Sequence, residues 1–480
     1  MKAYASFSDI QKDLNTGKET VLGLVQHFLG NIDRHSSLGA FLEVYRDESL
    51  EAARQTDLKI KNGTAGRLAG MVLGIKDVFC YKDHPVTVGS SILTGFRSLF
   101  TATAIQRLLD EDAIIIGRQN CDEFAMGSSN ENSSFGPVRN AADPSKVPGG
   151  SSGGSAVAVQ ADMCFASIAS DTGGSIRQPA AFCGAVGMKA TYSRVSRNGL
   201  VAYGSSFDCI GPITRSVADA ALLMEIMAGA DQMDSTCSAE PVERYSAAIQ
   251  GTKKYRIAYW KDVLDSDAIQ PEIRLACRNL ISKMQEAGHT VEAIDLPYLD
   301  YVLPTYYILT TSEASTNLSR FDGMHFGHRT TETGNLEETY KRSRTEGFGP
   351  EVKRRILLGT FALSADYHDA YFTKAQKVRR LIQNSALEVF KQYNFLLMPT
   401  TPGTAFPLGA KTKNPLEMYF ADIFTVWANL AGVPAISVPF GKDQSGMPIG
   451  LQIHAGHFRE MQMFDCAAMI ETASRELQTL

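Results

Sequence analysis

The chain has no CxxC pair, no long run of uncharged apolar residues and no surplus of basic charge. The first absence, with no histidine at ligand spacing from any cysteine, argues against a structural zinc or a redox couple. The eight cysteines (Cys80, Cys121, Cys164, Cys183, Cys209, Cys237, Cys277 and Cys466) lie singly and read as reduced, mostly buried thiols of a cytosol-like compartment. The second absence leaves no candidate transmembrane span, which takes about 20 apolar residues. Charge interrupts MKAYASFSDIQKDLNTGKE before an apolar core can build, so no secretory signal is expected. The expected location is the cytoplasm, or an organelle of similar redox state. The third absence, 47 Lys plus Arg against 52 Asp plus Glu, lacks the footprint of a nucleic-acid binder. Any nucleic acid this chain serves is expected to be held by a partner.

What is present is ordinary globular composition: 480 residues, 44% hydrophobic and 21% charged. That is enough chain for a well-buried core. Residues 5–60 read as helical, through TVLGLVQHFLGNI and the charged EAARQTDLKIK. A strand is predicted in LAGMVLGIKDVF, then a helix in TAIQRLLDED running into a buried strand at Ile114 to Ile116. Helix alternating with apolar strand is the α/β pattern. Ser216 to Asp219 resembles a capping box ahead of AALLMEIMAGA. After about 235 the rhythm resumes with strand YRIAYW, a helix over 270–287 and strand TVEAIDL. AISVPF and GLQIHAG flank a turn-rich DQSGMP, a hairpin signal, before a closing helix in EMQMFDCAAMIETASREL. With no internal repeat and no linker-like composition, the prediction is one domain over 1–480. Within it fall a helical segment (1–65), a core (66–235) and a second αβ part (236–480) with a helical section at about 300–390.

Two glycine- and serine-rich clusters could carry chemistry. GGSSGGS at 149–155 can be read as a flexible linker. It feeds an apolar helical run, AVAVQ, so its backbone amides could instead hold an anion or oxyanion at a helix N-terminus. Gly150, Ser152 and Gly154 also match a nucleophile elbow, but the polar, proline-bracketed NAADPSKVP replaces the strand that an elbow needs. A phosphate cradle fails on pattern. The second cluster, DTGGSIRQP at 171–179, follows a strand candidate, FASIAS, and precedes a helix. Its two glycines allow amides to converge beside Ser175, as acyl transfer requires, although TGGS alone also reads as an ordinary strand-to-helix turn.

A serine nucleophile needs a base. The nine histidines (His27, His35, His84, His289, His325, His328, His368, His454 and His457) lie outside both clusters. Lysine can replace histidine only when neutral, hence buried. Lys76 qualifies by ending the apolar run Val72 to Ile75, although it could also snorkel or pair with Asp77.

Together, Lys76 in GIKD, GGSSGGS and DTGGSIRQPA resemble the amidase signature family in order and spacing. The resemblance implies an α/β fold with a central mixed sheet covered by helices on both faces. It also implies a Ser-cisSer-Lys triad, with Lys76 as base, Ser151 as relay serine and Ser175 as nucleophile. The backbone of Thr172, Gly173 and Gly174 would form the oxyanion hole. CDEFAMGSS at 121–129, NLSRFDG at 317–323, RTEGFGPEVKRRILLGT at 344–360, DAYFTKAQKVR at 369–379 and NLAGVPAISVP at 429–439 narrow the likeness. They resemble one branch of that family, the A subunits of glutamyl-tRNA(Gln)/aspartyl-tRNA(Asn) amidotransferases. That branch hydrolyses glutamine and passes ammonia to a B subunit, which holds the mischarged tRNA and activates it with ATP and magnesium. A small C subunit fastens the two. On this resemblance the chain binds no cofactor itself, and Arg355, Asp422 and Tyr306 grip the amino-acid end of glutamine. The pairing is chemically apt, because a zwitterion asks for one cation and one anion. The stretch CYKDHPVTVGSSILTGF and Ala190 after GMK depart from the branch's pattern without touching the triad. A stand-alone amidase of the family would share the triad and differ in the grip. An α/β-hydrolase would use Ser152 with a histidine, and a non-catalytic scaffold would need none of these residues.

Overall fold

The computed structural model describes residues 4–247, 249–332, 334–412 and 415–478. Its frame is one mixed sheet of eleven strands among the described residues, in the order β1-β3-β2-β4-β6-β5-β10-β11-β9-β7-β8. In chain order these are β1 (Phe41–Val44), β2 (Val72–Lys76), β3 (Ile114–Gln119), β4 (Ala166–Asp171), β5 (Val186–Lys189), β6 (Cys209–Thr214), β7 (Arg256–Trp260), β8 (Thr290–Ile294), β9 (Phe395–Pro399), β10 (Ala435–Lys442) and β11 (Pro448–Ala455).

Strands β2, β3 and β4 run parallel as neighbours, with Ile75 opposite Ile168. All three are buried along their whole length, as are β5, β6, β9 and β11. A strand buried at every position has both faces covered, which is why VLGIK and ASIASD read as continuous runs instead of alternating. Sixteen α-helices among the described residues accompany the sheet, so the expected α/β class holds. The central strands β4, β6, β5, β10, β11 and β9 pair antiparallel, and β9, β7 and β8 return to parallel.

Several predicted elements stand where the pattern put them: the helices Val21–Arg34 and Pro271–Glu286, and the hairpin of β10 with β11. In the hairpin turn, Asp443 Oδ1 accepts from the amides of Ser445 and Met447, a local side-chain turn in place of a glycine-only one. The stretch 300–390 is helical, with Leu299–Asn317, Pro350–Leu363 and Lys374–Gln392 its principal members. Two expectations need correction. Residues 5–60 are not wholly helical, since Phe41–Val44 forms an edge strand against β3. Ser216 does cap Val217–Met227 through the amide of Asp219, but Asp219 does not complete a capping box. Its Oδ1 accepts from the amide of Phe7, so this carboxylate ties the first helix, Phe7–Asn15, to the helix Val217–Met227.

All eight cysteines are free, and all but Cys237 are buried. Among the described residues no helix is long and apolar enough to cross a membrane.

Candidate active site

The carboxyl ends of parallel strands are where an α/β sheet exposes its chain turns. Lys76 is the last residue of β2, Asp122 follows β3, and the DTGGS turn follows β4. Three polar segments therefore converge on one edge of an otherwise apolar layer.

Lys76 is wholly buried. Its Nζ donates to Ser151 Oγ at 2.8 Å and to Ser170 Oγ at 3.0 Å. Burial pulls its ammonium down to about 8, with Cys121, Asp122, Asp171 and Asp208 opposing the shift. Lys76 does not pair with Asp77, the alternative its sequence left open. Asp77 instead bonds Arg118 at 2.7 Å and the amides of Thr87 and Gly89. Ser151 sits in the turn ahead of the helix Gly153–Gln160, and the Gly150–Ser151 peptide is cis. GGSSGGS is thus a buried turn packed in the interior, not a linker.

Ser175 is nearly buried, at 7% exposure, and its carbonyl accepts from the amide of Ser152 at 3.2 Å. The DTGGS turn hangs on Asp171. Its carboxylate meets Arg177 in a fully buried pair at 3.0 Å and also accepts from the amides of Gly174 and Ile176. Burial opposes that charge, but the Arg177 guanidinium and the Asn429 amide hold the carboxyl down to about 2. This bears on the expected oxyanion hole. Of the three expected donors, the Gly174 amide is donated to Asp171 Oδ1 at 2.8 Å. Gly174 has φ +126°, a conformation open to glycine alone, and a Cβ there would overlap Thr425. Thr425 also fixes the turn by donating to the Gly173 carbonyl at 2.6 Å.

Arg355, on the helix Pro350–Leu363, and Asp422, in the turn between the helices Pro415–Phe420 and Val426–Ala431, meet on one tyrosine. Tyr307 donates to Asp422 Oδ2 at 3.2 Å, while the Arg355 guanidinium sits 5.5 Å from the centre of the Tyr307 ring. Arg355 Nη1 donates to the Tyr203 hydroxyl at 2.8 Å, and Arg355 Nε donates to Glu351 at 2.8 Å. Burial disfavours the Arg355 charge, but Tyr203, Glu351, Tyr307 and Tyr419 keep it protonated well above the ordinary range. Burial pushes the Asp422 carboxyl up to about 7, against the pull of Ser128 and Arg355. Tyr306 neighbours Tyr307, and a Cβ on Gly173 would overlap its hydroxyl. Tyr306 thus spans from the Arg355 and Asp422 pair to the turn that carries Ser175. A cleft of about 330 Å³ opens beside them, lined by Ser129, Glu131, Glu351, Arg355, Lys411 and Tyr419 among others.

Sequence reasoning missed Ser170, the second partner of Lys76, because a serine inside FASIAS carries no local signal. It missed the aromatic ring around Arg355 for the same reason: Tyr203, Tyr307 and Tyr419 are far apart in the chain.

The comparisons with known proteins agree with this geometry. The Amidase family model matches residues 23–464. The chain is 48% identical to the A subunit of the glutamyl-tRNA(Gln) amidotransferase of Koribacter versatilis, over 95% of each chain. It superposes on the crystal structure of the corresponding protein from Thermotoga maritima with TM-score 0.77 and 39% identity, covering 93% of this chain and 90% of that one. A peptide amidase from Stenotrophomonas maltophilia gives TM-score 0.81 at 29% identity, covering 97% and 96%. A match over nearly the whole length, joined to a buried lysine between two serines at the strand ends, makes this chain a member of the amidase family.

Proposed function

We propose that the chain is the glutamine-hydrolysing A subunit of a tRNA-dependent amidotransferase, with Lys76, Ser151 and Ser175 as its catalytic residues. The observation that carries the reading is the pair Arg355 and Asp422 joined at Tyr307, next to the turn that bears Ser175. A cation and an anion so placed suit the α-carboxylate and α-ammonium of a free amino acid, with Tyr306 filling the space toward the reacting amide. A neutral or blocked amide would bring no charges to meet this pair.

Neutral Lys76 takes a proton from Ser151, which takes one from Ser175 as its Oγ attacks the side-chain amide carbon of glutamine. The amides of Thr172 and Gly173 face the developing oxyanion, each such donor contributing about 3 kcal/mol in the transition state. The proton held on Lys76 returns through Ser151 to the leaving nitrogen, and ammonia departs. Water then hydrolyses the γ-glutamyl ester of Ser175 by the same relay, releasing glutamate. The ammonia is consumed on a B subunit, which holds Glu-tRNA(Gln) or Asp-tRNA(Asn) and uses ATP and magnesium, with a C subunit fastening the assembly.

The test is Ser175→Ala in the chain coexpressed with B and C subunits. Glutamine-dependent amidation should vanish while amidation with ammonium salts persists. Loss of both activities would give Ser175 a structural role. Hydrolysis of small neutral amides in preference to glutamine, unaffected by Arg355→Ala, would favour a stand-alone amidase.

A further inference from the structure

Among the described residues, two side-chain oxygens lie within hydrogen-bonding distance of Lys76 Nζ, and the relay described above uses only one of them. A neutral primary amine has two N–H groups and one lone pair. To receive a proton from Ser151, Lys76 must point its lone pair at Ser151 Oγ, so its N–H groups need acceptors elsewhere. In a wholly buried site a donor without an acceptor is costly. Ser170 Oγ is placed to be that acceptor.

We infer that Ser170 is a positioning residue which, by accepting one N–H of Lys76, turns the amine's lone pair toward Ser151 Oγ. The inference rests on the catalytic reading proposed above and deepens it. Ser170 lies on β4 next to β2, and the register that sets Ile75 against Ile168 brings it alongside Lys76. Its backbone is held in the ladder opposite Ile210 of β6. Its carbonyl also accepts from Ser152 Oγ at 3.3 Å, so the strand bearing Ser170 touches the residue that follows Ser151. The acceptor thus stands on a strand, where its position is fixed better than on a loop.

The titratable groups facing Lys76 are Cys121 and Asp122 beyond β3, Asp171 at the end of β4 and Asp208 ahead of β6. Burial raises Asp122 and Asp208 only to about 6, and Asp171 is held at about 2. All three carboxylates are therefore charged before Lys76 titrates; Asp422 of the proposed grip follows at about 7, so the part of the acid limb near pH 8 reports the lysine.

The test is the pH profile of glutamine hydrolysis by Ser170→Ala and Ser170→Thr in the full chain with its B and C subunits. Ser170→Ala should lower kcat by about a hundredfold, the scale of a 1 Å misplacement, with KM changed less than about twofold. Its acid limb should move to lower pH, because the charged ammonium loses a hydrogen-bond acceptor. Ser170→Thr should return both kcat and the limb toward the parent. Should Ser170→Ala fail to fold, Ser170→Cys keeps the volume and exchanges a good acceptor for a weak one, and should move the limb likewise. A folded Ser170→Ala with parental kcat and limb would overturn the inference, as would a lowered kcat with an unmoved limb and no rescue by threonine. Lys76→Ala and Ser175→Ala run alongside separate the two failures. If they still hydrolyse glutamine, the catalytic reading itself falls; if they are inactive while Ser170→Ala is parental, only the positioning role falls.

Discussion

Lys76 is the residue on which the proposed chemistry turns, and its environment sets a pH dependence with a definite sign. Burial lowers its ammonium to about 8, so below that pH it is charged and has no lone pair to offer Ser151. Glutamine hydrolysis should level off above that point, fall about tenfold per pH unit from 8 to 7 as the essential base is lost, and fall more steeply below 7, where Asp422 of the proposed grip also takes a proton. The measurement is kcat/KM across that range in the assembled complex. Lys76→Ala should lower kcat by about 10²–10⁴, the usual contribution of a positioned base. An unchanged turnover would remove Lys76 from the mechanism. The same residue was legible in the sequence because a lone lysine closing an apolar run is hard to explain as a solvated charge. Its partner Ser170 was not legible, since a hydroxyl in a strand is unremarkable until register brings it beside another.

At the scale of elements, strength and geometry are concentrated where β4 gives way to the helix Arg177–Cys183. Arg177 is fully buried and bonds Asp171, Gln452 Oε1, Asn429 Oδ1 and the Thr425 carbonyl. Replacing it with methionine would strand the Asp171 carboxylate, a loss of about 3–5 kcal/mol for a buried pair broken on one side. Arg177→Met should therefore lower the calorimetric melting temperature markedly, and Asp171→Asn in the same chain should recover part of the loss. Strictly additive losses would show that the two do not act as a pair. The single Arg177→Met variant should also lose glutaminase activity, because Asp171 holds the Gly174 amide as well. Elements with their own periodicity or turn chemistry, such as Pro271–Glu286 and the β10–β11 hairpin, were readable from the sequence. The edge strand Phe41–Val44 was not. Four half-buried residues between helices have too little alternation to declare a strand, and their pairing with β3 is what creates one. The bond from the Gly174 amide to Asp171 was not legible for a related reason: the sequence presents three candidate donors in a row, and only the fold shows Asp171 folding back on one of them.

The molecule as a whole carries a formal charge of −5, and its only proposed link to tRNA is the ammonia it releases. Binding to a polyphosphate is driven by lysine and arginine displacing counterions, and it weakens steeply as salt rises. On the proposed reading, this acidic chain leaves that contact to its partners. The expectation is that this chain alone gives no mobility shift with Glu-tRNA(Gln) or Asp-tRNA(Asn) at physiological salt, whereas the coexpressed complex does. The complex's affinity should then fall with rising salt by the same slope whether this chain is wild type or Ser175→Ala, since that serine is nearly buried and carries no charge. A salt-dependent shift by the isolated chain would place part of the tRNA surface here and contradict the division of labour. A complex that binds tRNA with no loss of affinity at high salt would show that recognition does not rest on phosphate contacts at all.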